Sequence, residues 1–510
     1  MIRHFSTSTI CQSSLSKYLP KTLLGHTLRG QIIMSPQLAT VINNNIISNH
    51  LPNNLRRIIQ KFYIQLKETE MFPVVKTQLE TDSFIGAFFL RDYASCYSVL
   101  YELKRRFDLI GFAPKSILDV SHGPSTGMLV LNDLLNNSVH KDNSIQKSWG
   151  AERKDSVILS SSGEMSRRAR MLLDAQPLER QVQTRLLSTV PTSLKYNLII
   201  LNHQMLKDPR KYPYEIDSQL NHYLSLLSDD GGYLVIVERG TPTGAETVAR
   251  VRELIIRQNS SLTATTGKDN SVGGDHHQDY SIIAPCSHMN KCPLQLGNLN
   301  YYKLNDPNDS QLRKKLKFIS FEKMVQRPKF SIELKRGKLL SLSWNNQDRR
   351  KLLNLRGKGR PNGNNYELVN YTYLVVGKSV PSLEMDNWPR IISPPIKKKG
   401  HVILNVSTVP DGKVENWIIP KSMSKEIYHD ARKSKWGDLW PHGAKTKIPI
   451  RNRIDFEHLK GLEKDRIKNL KTEERKKRLE LKKRLIELDQ VKEPTKENIN
   501  ELANIYKMLL

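Results

Sequence analysis

Apolar residues recur every three or four positions through NNLRRIIQKFYIQLK and DYASCYSVLYELKRRF, which predicts amphipathic helices over residues 51–107. The period then shortens. SILDV, SVILSSS, YNLIILNHQM and GGYLVIVERG read as buried strands. GMLVLNDLL, EMSRRARMLLDA, DSQLNHYLSLL and TPTGAETVARVRELII read as the helices between them. Strands and helices alternating from Ser116 to Ile256 predict an α/β domain with a parallel, doubly wound sheet, whose ligand crevice lies at the carboxyl ends of its strands.

Beyond Arg257 the pattern loosens. QNSSLTATTGKDNSVGGDHHQDYS is polar and glycine-bearing, so it reads as an inserted loop; His276 and His277 stay unassigned, since paired histidines in such a loop are more often solvated than metal-bound. KFSIEL, KLLSLSW, YELVNYTYLVVGK, GHVILNVST and KVENWIIP are short runs between Gly, Pro and Asn, predicting a small β-rich second domain. HLKGLEKDRIKNLKTEERKKRLELKKRLIELDQ mixes both charges with Leu and Ile at helical spacing and predicts a solvated carboxyl-terminal helix. The expected divisions are an amino-terminal arm (1–45), a helical lead-in (46–110), the α/β domain (111–260), an insertion with a cysteine loop (261–312), the basic β-rich domain (313–445) and a charged tail (446–510).

Charge changes this picture most. The chain has 510 residues and a formal net charge of +29, which points to a polyanionic partner, nucleic acid first. Between positions 301 and 400 there are 22 Lys and Arg against 8 Asp and Glu, so about half of the excess lies in a fifth of the length. The candidate phosphate contacts are Arg313, Lys314, Lys315, Lys317, Arg327, Lys335, Arg336, Lys338, Arg349, Arg350, Lys351, Arg356, Lys358, Arg360 and Lys397, Lys398 and Lys399. Arg432, Lys433 and Lys435 join them beside Trp436 and Trp440, of which at least one is expected in the core.

From Met1 to Lys67 there is no Asp or Glu, and STSTICQSSLS is rich in hydroxyls, the composition of a mitochondrial transit peptide or of a basic RNA-binding arm. No apolar run reaches a membrane span, and four scattered cysteines fit a reducing compartment.

SILDVSHGPSTGM carries the candidate chemistry. A nucleoside-binding loop wants an acid ending the first strand and glycines at every second position after it, where a Cβ would obstruct the ligand or the dihedrals. Here Asp119, Gly123 and Gly127 are in place, with Pro124 in the turn, but Ser121 and Ser125 occupy two glycine positions. The second strand ends on Ser160 and Ser161, without the acid that binds a ribose. A working nucleoside loop and a plain tight turn both remain open.

Taken in order, RDYASCYSVLYELKRRF, APKSILDVSHGPSTG, GGYLVIVERGTPTG, APCSHMNKCPL, VQRP and the long segment from KKKGHVILNVSTVP to ARKSKWGDLWP resemble the mitochondrial methyltransferase-like family of the small ribosomal subunit, the Rsm-twenty-two type. The resemblance covers residues 84–441 and implies a class I methyltransferase (Rossmann-like) domain with a helical lead-in, a small basic β-rich C-terminal domain and a charged C-terminal helix. It implies S-adenosylmethionine as the cofactor, with Asp119, Gly123 and Pro124 on its loop and Glu238 facing the same crevice. Cys286 and Cys292 resemble two of the four cysteines with which the family holds a four-iron four-sulfur cluster. The other two positions fall near Ile319 and Ser407, which are not thiols, and His288 serves a zinc-type site only with a fourth ligand.

The expected partners are small-subunit ribosomal RNA and mitochondrial ribosomal proteins, in the mitochondrial matrix, with no membrane span and no homo-oligomer. The leading expectation is a ribosomal component or assembly factor that binds RNA and is weak or inactive as a methyltransferase. The alternative is an active S-adenosylmethionine-dependent RNA methyltransferase, with Asn202, His203 and Gln204 near its site. A purely structural ribosomal protein is a third reading.

Overall fold

The computed structural model describes residues 17–136, 153–159, 162–176, 183–187, 189–190, 193–265, 280–306, 309, 312–335, 365–450, 454–490, 501–503 and 505. The chain divides into two units: Met1–Gly297 with Phe318–Asn452, and Asn298–Lys317 with Arg453–Leu510.

The first unit is built on an eight-stranded sheet. Its strands are β1 (Ser116–Ser121), β2 (Lys154–Leu159), β3 (Gln183–Leu187), β4 (Leu198–Asn202), β5 (Gly232–Arg239), β6 (Tyr280–Ala284), β7 (Phe321–Gln326) and β8 (Tyr366–Lys378). The order is β3-β2-β1-β4-β5-β8-β6, with β7 paired to β8 off that path. Strands β1 to β5 pair parallel, and β8 runs antiparallel between β5 and β6. The chain order reverses between β1 and β4, so the crevice of this α/β, class I methyltransferase-type sheet opens at the carboxyl ends of those two strands.

Alternation places successive side chains on opposite faces. Ile117, Leu198, Ile200, Tyr233, Val235 and Val237 face one core, while Leu118, Val120, Ile199, Leu201, Leu234 and Ile236 face the other. The first core is covered by α3 (Pro52–Thr69), α4 (Gln78–Phe84), α5 (Leu90–Ile110) and α6 (Thr126–Asn136). The second lies under α8 (Tyr214–Ser225) and α9 (Pro242–Thr265); α7 is Gly163–Asp174. Proline at the first turn starts α3, where a missing N–H costs nothing, and Thr77 with Glu80 forms a reciprocal capping box on α4.

Several boundaries differ from the expected ones. Residues 17–45, assigned to the amino-terminal arm, hold α1 (Pro20–Gly25) and α2 (Pro36–Val41). Leu38 and Ile42 are buried there, the Thr22 hydroxyl donates to Asp430 at 2.7 Å, and Arg29 pairs with Asp438 at 2.7 Å. Thr22 and Arg29 thus find their acidic partners near the far end of the chain.

KFSIEL, expected as a strand, is helix α10 (Lys329–Lys335): Phe330 and Leu334, four apart, are buried while Ile332 between them is exposed. Six residues fit both periods, and the buried pair selects the helix. Helix α9 continues to Thr265, into the segment read as a loop, and KLLSLSW lies outside the described residues.

YELVNYTYLVVGK, assigned to the second domain, is β8 in the main sheet. The second sheet is therefore smaller: β9 (Arg390–Ile391), β10 (Ile396–Lys397), β11 (His401–Ser407), β12 (Val414–Pro420) and β13 (Thr446–Pro449), packed with α11 (Lys425–Lys433) around Val402, Leu404, Trp417, Ile419 and Trp440.

The second unit is dominated by α12 (Phe456–Asp489), capped by Asp455 and largely solvated. Glu463 accepts from the amides of Asn298 and Asn300, and His458 pairs with Asp306 at 2.7 Å. No helix among the described residues is long and apolar enough to cross a membrane.

Candidate functional site

Asp119 stands two residues before the end of the first strand, on the lead-in side of the sheet, and is fully buried. Its Oδ2 accepts the Met128 N–H at 2.9 Å and the Ser125 hydroxyl at 3.2 Å, so it caps the first turn of α6. Its Oδ1 lies against the Gly127 backbone without a well-aligned hydrogen bond. Burial, opposed by those donors, pushes the carboxyl up to about 7.

A Cβ on Gly127 would stand 2.8 Å from both Asp119 Oδ1 and Ile200 Cγ2, so glycine is required for the helix to approach the sheet. Ser125 adopts φ +58°, the left-handed conformation expected of a glycine, and its bond to Asp119 offsets part of that strain. Ser121 accepts the Gly123 N–H at 3.3 Å. Pro124 completes the turn, and Ser160 and Ser161 lie outside the described residues.

At the end of β4, Asn202 is buried with both amide atoms unpartnered among the described residues. His203 follows at φ +56°. Its Nδ1 faces Glu238 at 3.2 Å and its Nε2 faces Asp92 of α5 at 3.2 Å. Burial alone would lower its pKa, but the two carboxylates outweigh it and hold the imidazolium up to about 9. A histidine protonated at neutral pH is no general base.

The mouth of the crevice is filled by the chain itself. Phe72, from the link between α3 and α4, has its ring centroid 4.7 Å from His122 and 4.9 Å from His203, with the Arg239 guanidinium 4.7 Å over its centroid. Arg239 donates to the Glu70 carbonyl at 2.6 Å, and the Thr243 hydroxyl donates to the Glu70 carboxylate. Burial, then the His203 cation, lowers His122 to about 4. Toward an S-adenosylmethionine ligand, Asn202 and Glu238 offer polar atoms unpartnered among the described residues, Asp119 Oδ1 is turned to the start of α6, and Phe72 stacks on His122 at the mouth.

The cysteine loop lies elsewhere, after β6. Cys286 and Cys292 meet Ile319 in one apolar cluster, and His288 reaches Ser407 at 3.3 Å. The four positions that the resemblance singled out thus converge, but with two thiols, an isoleucine and a hydroxyl. Burial pushes the Cys292 thiol up to about 11. Among the described residues no group of three or more His, Cys, Asp or Glu could hold a metal ion. A four-thiolate cluster does not fit this donor set.

Of the basic candidates, Lys397, Lys398, Lys399, Arg432, Lys433 and Lys435 are exposed on β10, the turn after it, α11 and the residues just beyond. Tyr428 donates to the Lys399 carbonyl at 3.2 Å and Arg432 to Tyr428 Oη at 3.2 Å, tying turn to helix. Lys435 is lowered by partial burial, then by Arg29 and more weakly by Lys397. Arg327 departs from expectation: it is half-buried, 3.6 Å from the buried Glu367, in an ion pair.

Lys315 and Lys317 are exposed in the second unit. The side chains of Arg313, Lys314 and Lys335, together with Arg336, Lys338, Arg349, Arg350, Lys351, Arg356, Lys358 and Arg360, lie outside the described residues. Trp440 is buried, its Nε1 donating to the Gly443 carbonyl at 3.3 Å, and Trp436 packs half-buried against the main core.

The family described as mitochondrial small ribosomal subunit Rsm22 matches residues 80–339 and 345–441, which include the Asp119 loop, the cysteine loop and four of the five strands of the second sheet. The chain belongs to the Rsm22 family. It is 36% identical to the Saccharomyces cerevisiae mitochondrial ribosome assembly protein RSM22, over 92% of this chain and 85% of that one. It is 27% identical to the Schizosaccharomyces pombe mitochondrial Rsm22-cox11 tandem protein 2, over 78% of this chain and 48% of the relative. It is 21% identical to the Homo sapiens mitochondrial ribosome assembly protein METTL17, over 68% of this chain and 60% of that one. Among solved structures, the plantazolicin methyltransferase BpumL with SAH overlays at a TM-score of 0.24 with 14% identity, covering 67% of this chain and all of its own; so loose a likeness carries no weight beside the strand order.

Four residues central to this Rsm22 chain were missed from sequence: Phe72, Asp92, Arg239 and Arg252. Asp92 and Arg252 carry a legible signal, since each puts a charge on the apolar stripe of an amphipathic helix, beside Phe88 and Cys96 or Val248 and Ile255. Phe72 and Arg239 carry none, because their meeting joins the α3–α4 link to the distant end of β5.

Proposed function

We propose that this protein is a mitochondrial assembly factor of the small ribosomal subunit that binds ribosomal RNA on a methyltransferase-like scaffold without transferring methyl groups. The observation that carries the second half is Phe72, lodged between His122 and Arg239 where a donor would lie. Family membership and the yeast and human relatives, both mitochondrial ribosome assembly proteins, support the first half. S-adenosylmethionine enters this reading only as a ligand that displaces Phe72.

Lys397, Lys398, Lys399, Arg432 and Lys433 supply the RNA surface. No ion pair with an acid engages them among the described residues, so their charge is available to phosphates. The charge excess of the chain keeps its affinity for compact polyanions high and salt-sensitive.

The test is co-sedimentation of tagged protein with small-subunit particles from mitochondria, coupled to a methyl-transfer assay on small-subunit RNA. Enrichment on immature over mature subunits, without methyl incorporation, is expected. Methylation that is lost in Asp119→Ala would replace this reading with that of an active RNA methyltransferase, and absence from every subunit fraction would end both.

A further inference from the structure

Helix α9 turns one guanidinium into the interior. Arg252 is 4% exposed and stands among Val248, Val251 and Ile255. Every nitrogen of its head has an acceptor in the cysteine loop. Nε donates to the Asn290 carbonyl at 2.8 Å, Nη1 to the Cys286 carbonyl at 2.8 Å, and Nη2 to His288 Nδ1 at 2.8 Å and to the His288 carbonyl. Such a planar fork of donors is what arginine supplies and lysine does not.

The geometry also fixes the tautomer of His288. Its Nδ1 receives Arg252 Nη2 and, at 3.2 Å, the Asn290 N–H, so this nitrogen carries no proton. The ring proton is on Nε2, which faces Ser407 Oγ of β11. Both nitrogens are engaged, and neither offers a lone pair to a metal.

Gly412, at φ +67°, lies against the imidazole: a Cβ there would be 2.7 Å from the ring. Asn290 Nδ2 donates to the Pro410 carbonyl at 2.6 Å, a second tie to the β11–β12 turn. At the far end of the loop, Glu246 of the same helix accepts the N–H groups of Leu296 and Gly297 at 2.7 and 2.9 Å. The cavity between Arg252, the two cysteines and Ile319 measures about 40 Å³, room for a few waters.

We infer that Arg252 is the crosslink at this place: a guanidinium hub, standing where the resemblance would put an inorganic cluster, clamps the cysteine loop to α9 and, through His288 and Ser407, to the second sheet. Cys286, buried, and Cys292, half-buried, then serve as small apolar groups rather than as ligands.

The experiment uses the full chain purified anaerobically, with iron, zinc and acid-labile sulfide measured, and follows N-ethylmaleimide alkylation of Cys286, Cys292 and Cys96 by peptide mass spectrometry. Cys96, buried in the main core, reports global unfolding. Sub-stoichiometric metal is expected, and Arg252→Met and Arg252→Lys should each speed alkylation of the two loop cysteines roughly tenfold while Cys96 stays slow. Ser407→Ala, a milder change, should speed it a few-fold and decides the matter if the Arg252 variants do not fold. Stoichiometric iron or zinc overturns the inference, as do unchanged loop alkylation rates in a folded Arg252 variant or in Ser407→Ala.

Discussion

The ring of Phe72 lies stacked on that of His122, centroids 4.7 Å apart and planes 28° from parallel. Because Arg239 covers the same ring and is itself tied to Glu70, the link between α3 and α4 must rearrange before a donor enters the crevice. A ligand that binds only an open minority pays for the opening in affinity. Phe72→Ala is therefore expected to bind S-adenosylmethionine at least about tenfold more tightly than the parent chain in isothermal titration calorimetry. Equal affinities in two folded proteins would show that Phe72 is no plug.

The imidazolium of His203 between Asp92 and Glu238 makes a prediction about pH. Its folded pKa of about 9 exceeds the ordinary 6.5, so its stabilising contribution is complete below pH 6.5 and is lost as pH rises through 9. Asp119, raised from 3.8 to about 7, acts in the same direction, its contribution fading between those values. The Tm of the parent chain should fall from pH 6.5 to 9 more steeply than that of His203→Gln, by a difference of up to roughly 3 kcal/mol in unfolding free energy. Parallel Tm profiles would place the histidine in its neutral form.

Much of this was legible beforehand, and what was not has a common cause. Strands β1, β2, β4 and β5 and their helices follow from local period, and the Asp119 loop falls at the predicted strand end. The place of β8 does not, since alternation says which residues face one way and not which sheet they join. Arg327 looked like a surface cation because its partner Glu367 is 40 positions away, across residues 336–364. The burial of residues 17–45 was hidden likewise, as Asp430 and Asp438 sit at the other end of the chain. Ser125 was judged unsuited to positive φ and adopts it, helped by the same Asp119 that suggested a cofactor loop.

Glu102 of α5, half-buried, and Arg390 of β9, buried, form a two-pronged pair at 2.6 and 3.2 Å, with the Tyr373 hydroxyl donating to the same carboxylate at 2.9 Å. Burial alone would raise the acid, but Arg390 and then Arg106 outweigh it and hold it down to about 2. Its contribution is present above pH 4.5 and lost as pH falls through 2. Glu102→Gln leaves an uncompensated guanidinium and should cost about 3–5 kcal/mol in urea unfolding at pH 7. A loss below about 1 kcal/mol would mean that Arg390 finds other acceptors, such as the Pro285 and Gly437 carbonyls it already reaches.

The basic surface makes the last prediction. Lys397, Lys398 and Lys399 project from an exposed edge that Arg432 and Tyr428 hold against α11, so their removal changes charge without emptying a core. Each phosphate neutralised releases condensed counterions, giving a log-log salt slope of about −0.7 per contact on single strands and about −0.9 on duplex. If all three lysines touch phosphates, Lys397→Ala, Lys398→Ala and Lys399→Ala together should make the slope for small-subunit RNA shallower by roughly 2 to 3 and weaken binding at every salt concentration tested. Because phosphate contacts carry no base information, affinity for unrelated RNA should fall by the same factor. Fluorescence anisotropy over a salt series reads both quantities. An unchanged slope with an unchanged Tm would move the RNA surface away from β10 and α11, to the basic residues between 313 and 360.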